Sequence, residues 1–89
     1  MSLGEYLLFL KGKGFKFQND AIHFIYFGKQ YTNAPDAVAE AAVEITLKVQ
    51  KAFDGSFYIS LLETFKQHKV GTKKEAYACI ERFGLLEKI

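Results

Sequence analysis

Cysteine, proline and tryptophan are almost missing from this chain, which has one Cys, one Pro and no Trp among its 89 residues. A disulfide needs two thiols, so the lone Cys79 excludes an internal disulfide and any metal site built from several cysteines. Cys79 lies within an apolar helical pattern, and we expect it to be buried and unreactive. We expect no metal and no cofactor.

Long apolar runs are missing as well. No stretch reaches the roughly 18 apolar residues that a membrane span needs. The N-terminus lacks the basic start and the cleavage site of a secretory signal, and Glu5 comes early. We therefore expect a cytoplasmic protein. The net charge of +2 is too small to indicate nucleic acid by itself.

Aromatic residues, by contrast, are plentiful, with nine Phe and five Tyr. A chain this short buries only about 60–65% of its unfolded surface, so its stability depends on a dense core. Each aromatic ring can contribute roughly 150–250 Å² to that core. The sequence therefore predicts one small globular domain over residues 1–89.

The longest helical pattern covers residues 35–53, PDAVAEAAVEITLKVQKAF. Charged residues share one third of the helix circumference, and small or branched apolar residues share the opposite third. Pro35 suits the first turn, and the pair Asp54-Gly55 is expected to end the helix because Gly adopts the left-handed conformation. The pattern predicts an amphipathic central helix.

Four further helices are expected around it. Ser2 begins a first helix that ends near Lys11, and Asp54 or Ser56 caps a fourth that ends at Val70-Gly71. Residues 21–27, AIHFIYF, suit either a strand or a helix. We predict a helix, with hardly any polar face and with His23 in the core.

The fifth helix starts with the capping box Thr72-Lys73-Lys74-Glu75. It is expected to bury Phe83 and to stop at Gly84, with Leu85 folding back on Ile80. The predicted fold is thus all-α, a compact bundle of four to five helices in which two helical hairpins pack around the central helix 35–53.

A second, narrower apolar seam on the central helix consists of Val43 and Leu47. Either another helix of the same chain covers this seam or a partner does. Together with aromatics that a small core cannot cover, the seam predicts a partner-binding surface formed by Val43, Leu47, Tyr31, Phe57 and Tyr58. The leading hypothesis is a small non-catalytic protein-interaction or regulatory module, with a homodimer as the simplest case.

An alternative hypothesis is nucleic-acid binding through two lysine-rich loops, residues 11–16 and 66–74. If both loops reach the same end of the bundle, they form a basic patch able to contact phosphates. Lysines also collect at helix C-termini because the dipole favours them there, but two of these lie at a helix N-terminus. The residues concerned are Lys11, Lys13, Lys16, Lys66, Lys69, Lys73 and Lys74.

Signs of catalysis are few. His23 and His68 are not spaced as a metal pair, and no serine occupies a nucleophile motif. Glu40 and Glu44 lie four residues apart on one helical face, which we interpret as a solvated face. Phe15 is interpreted as a core residue. The sequence does not predict an enzyme.

The segment Phe24 to Ala34, FIYFGKQYTNA, carries a family resemblance that extends to Ile45 to Gln50 and Ser60 to Thr64. These segments resemble a small family of uncharacterised proteins from Bacillus-like bacteria. The resemblance implies a bacterial cytoplasmic protein of undefined role, and it transfers no catalytic residue.

Overall fold

The computed structural model describes residues 2–83, and five α-helices account for most of them. The helices are α1 (Leu3–Gly12), α2 (Asn19–Thr32), α3 (Asp36–Gln50), α4 (Gly55–Gln67) and α5 (Lys73–Arg82). No strand occurs among residues 2–83. The all-α fold is confirmed, and the ambiguous residues 21–27 lie within α2.

Helix α3 is the centre of the bundle, and each of the other four helices packs against it. Its buried residues are mostly small, so neighbouring backbones can approach it from several sides. They are Val38, Ala39, Glu40, Ala41, Ala42, Val43, Ile45 and Thr46. The sequence prediction of a central helix is therefore confirmed.

Helices α1, α3 and α5 run in one direction and α2 and α4 in the other. The backbone N–H of Leu3 donates to Asp36 Oδ2 at 3.1 Å, which joins the starts of α1 and α3. Helices α2 and α4 are parallel to each other, because Gly55 at the start of α4 lies against Phe24 and Leu62, further along α4, lies beside Gly28. The direction of each helix determines at which end of the bundle the loop after it lies.

Helices α2 and α4 pack extensively against each other. Gly28 is buried and faces the side chains of Tyr58, Ile59 and Leu62. The hydroxyl of Tyr58 donates to the carbonyl of Ile25 at 2.7 Å, so the buried phenol has a partner. A glycine at this point lets two aromatic-rich helices come together.

Two expected helix ends are wrong. Helix α3 ends at Gln50, because Lys51 takes a left-handed conformation with φ 67° and its N–H bonds back to Leu47. Gly55 therefore does not end α3 and instead begins α4, where the Asp54 side chain accepts from the N–H of Phe57 at 3.0 Å. Helix α4 in turn ends at Gln67, before Val70.

At α5 the Thr72 cap is confirmed, since the Thr72 hydroxyl accepts from the N–H of Glu75, but the expected capping box is incomplete because Glu75 Oε1 accepts from the N–H of Gly71 and not from that of Thr72. Phe83 is exposed, so its expected burial is wrong. The helix ends at Arg82, and the Phe83 ring lies edge-on to His68 at 5.4 Å between centroids. Cys79 is buried, as expected. The expected stop at Gly84 and the contact of Leu85 lie outside the described residues.

Within residues 2–83, none of the five helices is both long enough and apolar enough to cross a bilayer.

Candidate protein-binding site

The predicted partner-binding residues do not form one surface. Val43 and Tyr58 are fully buried, so their assignment to a partner-binding surface is wrong. Val43 belongs to the main core because other helices of the same chain cover that side of α3. Tyr58 is held inside by its hydrogen bond to Ile25.

The remaining three predicted residues lie in different places. Phe57 is half-buried against the core. Tyr31 is exposed on α2, next to Glu63 and Lys66 of α4. Leu47 is half-buried and lines a groove at the other side of α3. Leu47 and Tyr31 therefore line two separate concave surfaces, and the one at Leu47 has the more apolar set of lining residues.

That site is a groove of about 660 Å³ between α1, the loop after it and α3, which we call the α1/α3 groove. Its apolar floor consists of Tyr6, Phe9, Leu10, Phe15 and Leu47. Phe9 is 48% exposed and Phe15 is 44% exposed, so both rings present apolar surface to the groove. Phe15 is therefore not the core residue that the sequence suggested.

Lysines form the rim of the groove. Lys13, Lys48 and Lys51 all line it, and the Lys13 ammonium lies over the Phe9 ring at 5.4 Å from the centroid. Such a cation–π contact keeps the charge near the apolar floor. Glu44 is the one carboxylate among the lining residues of this groove.

The Glu44 carboxylate makes hydrogen bonds and ion pairs with side chains from three helices. Tyr6 donates to Glu44 Oε2 at 3.0 Å, and Tyr77 donates to Oε1. Lys48 Nζ is 3.4 Å from Oε1, and Lys73 Nζ is 3.7 Å from Oε2. Burial alone would raise the pKa of Glu44, but the two hydroxyl donors and the two ammonium groups outweigh it and hold the pKa below its usual value.

Glu40 sits one turn earlier, is buried and is poorly compensated. Its Oε1 lies 3.8 Å from Lys73 Nζ, and its Oε2 has no hydrogen-bond partner among the described residues. Burial raises the pKa of Glu40 above its usual value. The expectation that Glu40 and Glu44 form a solvated face is wrong, because α1 and α5 fold over that face of α3.

The phenols of this cluster are hydrogen-bond donors. Burial first, and then the neighbouring Glu44, raise the pKa of Tyr6, and burial together with the hydrogen bond to Glu44 raises the pKa of Tyr77. Both therefore stay protonated at neutral pH and keep Glu44 bound. The cluster joins α1 and α5 to α3 and so fixes one wall of the α1/α3 groove. No group of three His, Cys, Asp or Glu residues that could hold a metal ion is found within residues 2–83.

The two lysine-rich loops lie at opposite ends of α3. Residues 13–15 lie beside Lys51 at its C-terminal end, whereas Lys66 and Lys69 lie beside Pro35 and Val38 at its N-terminal end. A helix of 15 residues is about 22 Å long. The assumption that both loops reach the same end is wrong. Lys73 is moreover engaged by the two glutamates.

Helix α2 is less enclosed than expected. His23 is exposed, so its assignment to the core is wrong. Phe27 and Tyr31 are also exposed, since α3 and α4 cover only one side of the helix. Sequence reasoning also missed Phe9 in the groove. The signal was present in α1, where Leu8 and Phe9 fall outside the buried face formed by Leu3, Tyr6, Leu7 and Leu10.

No curated protein and no solved structure matches the chain. The pattern of DUF6123, described as a family of unknown function, matches residues 1–86. This range includes all five helices and every residue of the α1/α3 groove. The expected membership of an uncharacterised family is confirmed: the chain belongs to DUF6123, a family of unknown function.

Proposed function

We propose that this protein is a small non-catalytic interaction module whose α1/α3 groove binds an acidic amphipathic helix of a protein partner. The single observation that carries the proposal is an apolar groove floor with three lysines around it. Amphipathic helices bind to other proteins in this way, with apolar side chains in a groove and charges at its edge.

The charge of the groove favours an acidic partner. Lys13 and Lys51 make no ion pair within residues 2–83, and the carboxylate of Glu44 is bonded to two tyrosines and two lysines. An approaching acidic segment therefore meets a net positive rim and no uncompensated carboxylate in the groove. Such complementarity speeds association and selects against basic segments.

The floor of the groove favours apolar anchors. Phe9, Phe15 and Leu47 come from two helices and one loop, and together they offer a concave apolar surface. Burial of partly exposed aromatic rings is a common source of binding energy at interfaces. A helix that carries apolar residues at a spacing of three and four would place them along this floor.

A peptide pair tests the proposal. Two synthetic amphipathic peptides share one apolar face and differ only in carrying Glu or Lys on the polar face. We expect the acidic peptide to bind in a fluorescence anisotropy titration, more weakly as salt rises, and the basic peptide not to bind. Equal binding of both peptides, or binding of neither, would contradict the proposal.

Matched variants locate the site. Lys13→Glu should weaken binding of the acidic peptide about tenfold, as expected for a reversed charge at an interface. Lys74→Glu makes the same charge change on an exposed residue outside the groove and should leave the affinity unchanged. Phe9→Ser should remove most of the binding, whereas Leu8→Ser, on the neighbouring side of α1, should not. A Lys74 variant as weak as the Lys13 variant would argue for a diffuse charge effect.

A bacterial source and a cytoplasmic location are part of this proposal. The resemblance supports the first, and the single buried thiol without a disulfide partner suits the second. The nucleic-acid hypothesis stays a prediction, but no contact in the described chain favours it now that its lysines are divided between two ends.

A further inference from the structure

The outer face of α2 carries a second apolar surface, separate from the α1/α3 groove. Phe27 is 56% exposed and Tyr31 is 64% exposed. They lie four residues apart, so they are neighbours on one helical face. Their rings stack with 5.7 Å between centroids and an interplanar angle of 15°. No helix within residues 2–83 covers this pair of rings.

The charges beside these rings have both signs. Tyr31 adjoins Glu63 and Lys66 of α4, and both are exposed. Neither makes an ion pair within the described residues. The close approach of α2 to α4 at Gly28 makes the rings and these two charges one continuous face. We call it the α2/α4 face and define it by Phe27, Tyr31, Glu63 and Lys66.

From these features we infer that the α2/α4 face binds a second copy of the same chain. A two-fold axis beside Tyr31 would place the four aromatic rings together and bring Glu63 of one protomer close to Lys66 of its partner. In an interface of this symmetry each surface must complement itself. A face with one acid and one base beside an apolar centre meets that condition. The lysine-rimmed α1/α3 groove does not, because two copies would repel each other there.

The small apolar area of the face is consistent with a weak dimer. If a ring of this kind offers about 200 Å², the exposed fractions of Phe27 and Tyr31 give roughly 240 Å² per protomer. A standard interface buries about 800 Å² per partner, so the two rings would form its centre and polar neighbours its rim. The dimer should therefore be weak and should depend on protein concentration in the micromolar range.

Sedimentation velocity over a series of protein concentrations tests this inference. We expect the wild-type chain to pass from monomer to dimer as concentration rises. Tyr31→Ser should remain monomeric, whereas Leu8→Ser, which removes another exposed apolar side chain on α1, should associate like the wild type. A wild-type chain that stays monomeric at the highest concentration would overturn the inference. So would an association that continues beyond the dimer, or one that persists in Tyr31→Ser.

A charge exchange provides a second test that does not depend on the rings. Glu63→Lys should weaken the dimer about tenfold because it places like charges opposite each other. The double variant Glu63→Lys with Lys66→Glu restores opposite charges across the axis and should regain wild-type association. A double variant no stronger than the single one would overturn the assigned symmetry and with it the inference. Tyr31→Ser should still bind the acidic peptide, so failure of the dimer and failure of the proposed groove remain distinguishable.

Discussion

Replacing Gly28 by alanine tests the packing of α2 against α4, on which the α2/α4 face depends. A Cβ at this position would lie 2.8 Å from Tyr58 Cε2, 2.9 Å from Ile59 Cδ1 and 3.2 Å from Leu62 Cδ1. Carbon atoms in contact prefer about 3.5–4.0 Å, so three side chains of α4 would have to move. Tyr58 cannot move without cost, because it is fully buried and its hydroxyl is bonded to Ile25.

Opposing effects decide whether Gly28→Ala raises or lowers the free energy of unfolding. Alanine favours a helix interior over glycine by about 1 kcal/mol. Overpacking of a dense core costs about 1–3 kcal/mol, and a weakened hydrogen bond of Tyr58 adds about 1 kcal/mol. We therefore expect Gly28→Ala to lower the free energy of unfolding by about 1–3 kcal/mol. For a domain of this size, that corresponds to a melting temperature lower by roughly 5–15 °C.

Thermal and urea unfolding, followed by circular dichroism, measure the effect. Gly12→Ala is the matched control, because it makes the same substitution at the end of α1, where an added Cβ meets no described atom within 4 Å. This control should be unchanged or more stable by about 0.5 kcal/mol. A Gly28→Ala chain as stable as Gly12→Ala would refute the reasoning, since the helical preference alone would then decide the outcome.

Three further predictions concern the α3 cluster and the end of α3. Tyr77→Phe removes a donor from Glu44, so the pKa of Glu44 should rise in an NMR titration and stability should fall by about 1–2 kcal/mol. Because the pKa of Glu44 is lowered in the folded state, this loss should be full near neutral pH and vanish as pH falls through that lowered pKa. Glu40→Gln should have the opposite effect on stability, because burial raises the pKa of Glu40 and the charged carboxylate therefore opposes folding above that pKa. The variant should be more stable than the wild type near neutral pH, and this gain should fade on acidification. Urea unfolding midpoints measured over a range of pH would show it. Lys51→Gly, at φ 67°, should stabilise by about 0.5–1 kcal/mol in thermal melts, whereas Gln50→Gly inside the helix should destabilise by about 1 kcal/mol.

The helices themselves were predictable because local signals decide them. Ser2 forms a capping box and Thr72 caps α5 in the structure as the sequence predicts, and the apolar spacing of residues 36–50 places α3 in the centre. The left-handed end at Lys51 was not predictable in the same way. Gly55 offered a better local stop, but α3 ends five residues earlier and Gly55 lies in the first turn of α4, directly after its Asp54 cap.

The partner-binding surface was harder to predict because exposure depends on distant segments. Val43 and Tyr58 have side chains of the kind that is common in contact surfaces, so their type does not show whether they are exposed. The packing of the other helices buries both. Phe9 lies at the surface for the opposite reason, since α1 has more apolar residues than its single buried face can use, and Phe15 is exposed in the loop after α1.

The sequence alone determined an all-α chain with its central helix, its caps and a buried thiol, because these follow from residue spacing and side-chain chemistry within a few turns. Only the tertiary structure decided which charges are solvated. It turned Glu40 and Glu44 from an exposed face into a cluster closed by Tyr6, Tyr77 and Lys73. It also divided the lysines between two ends of α3 and left one basic groove and one neutral aromatic face. The direction of each helix in the bundle sets these placements, and that direction follows from long-range packing.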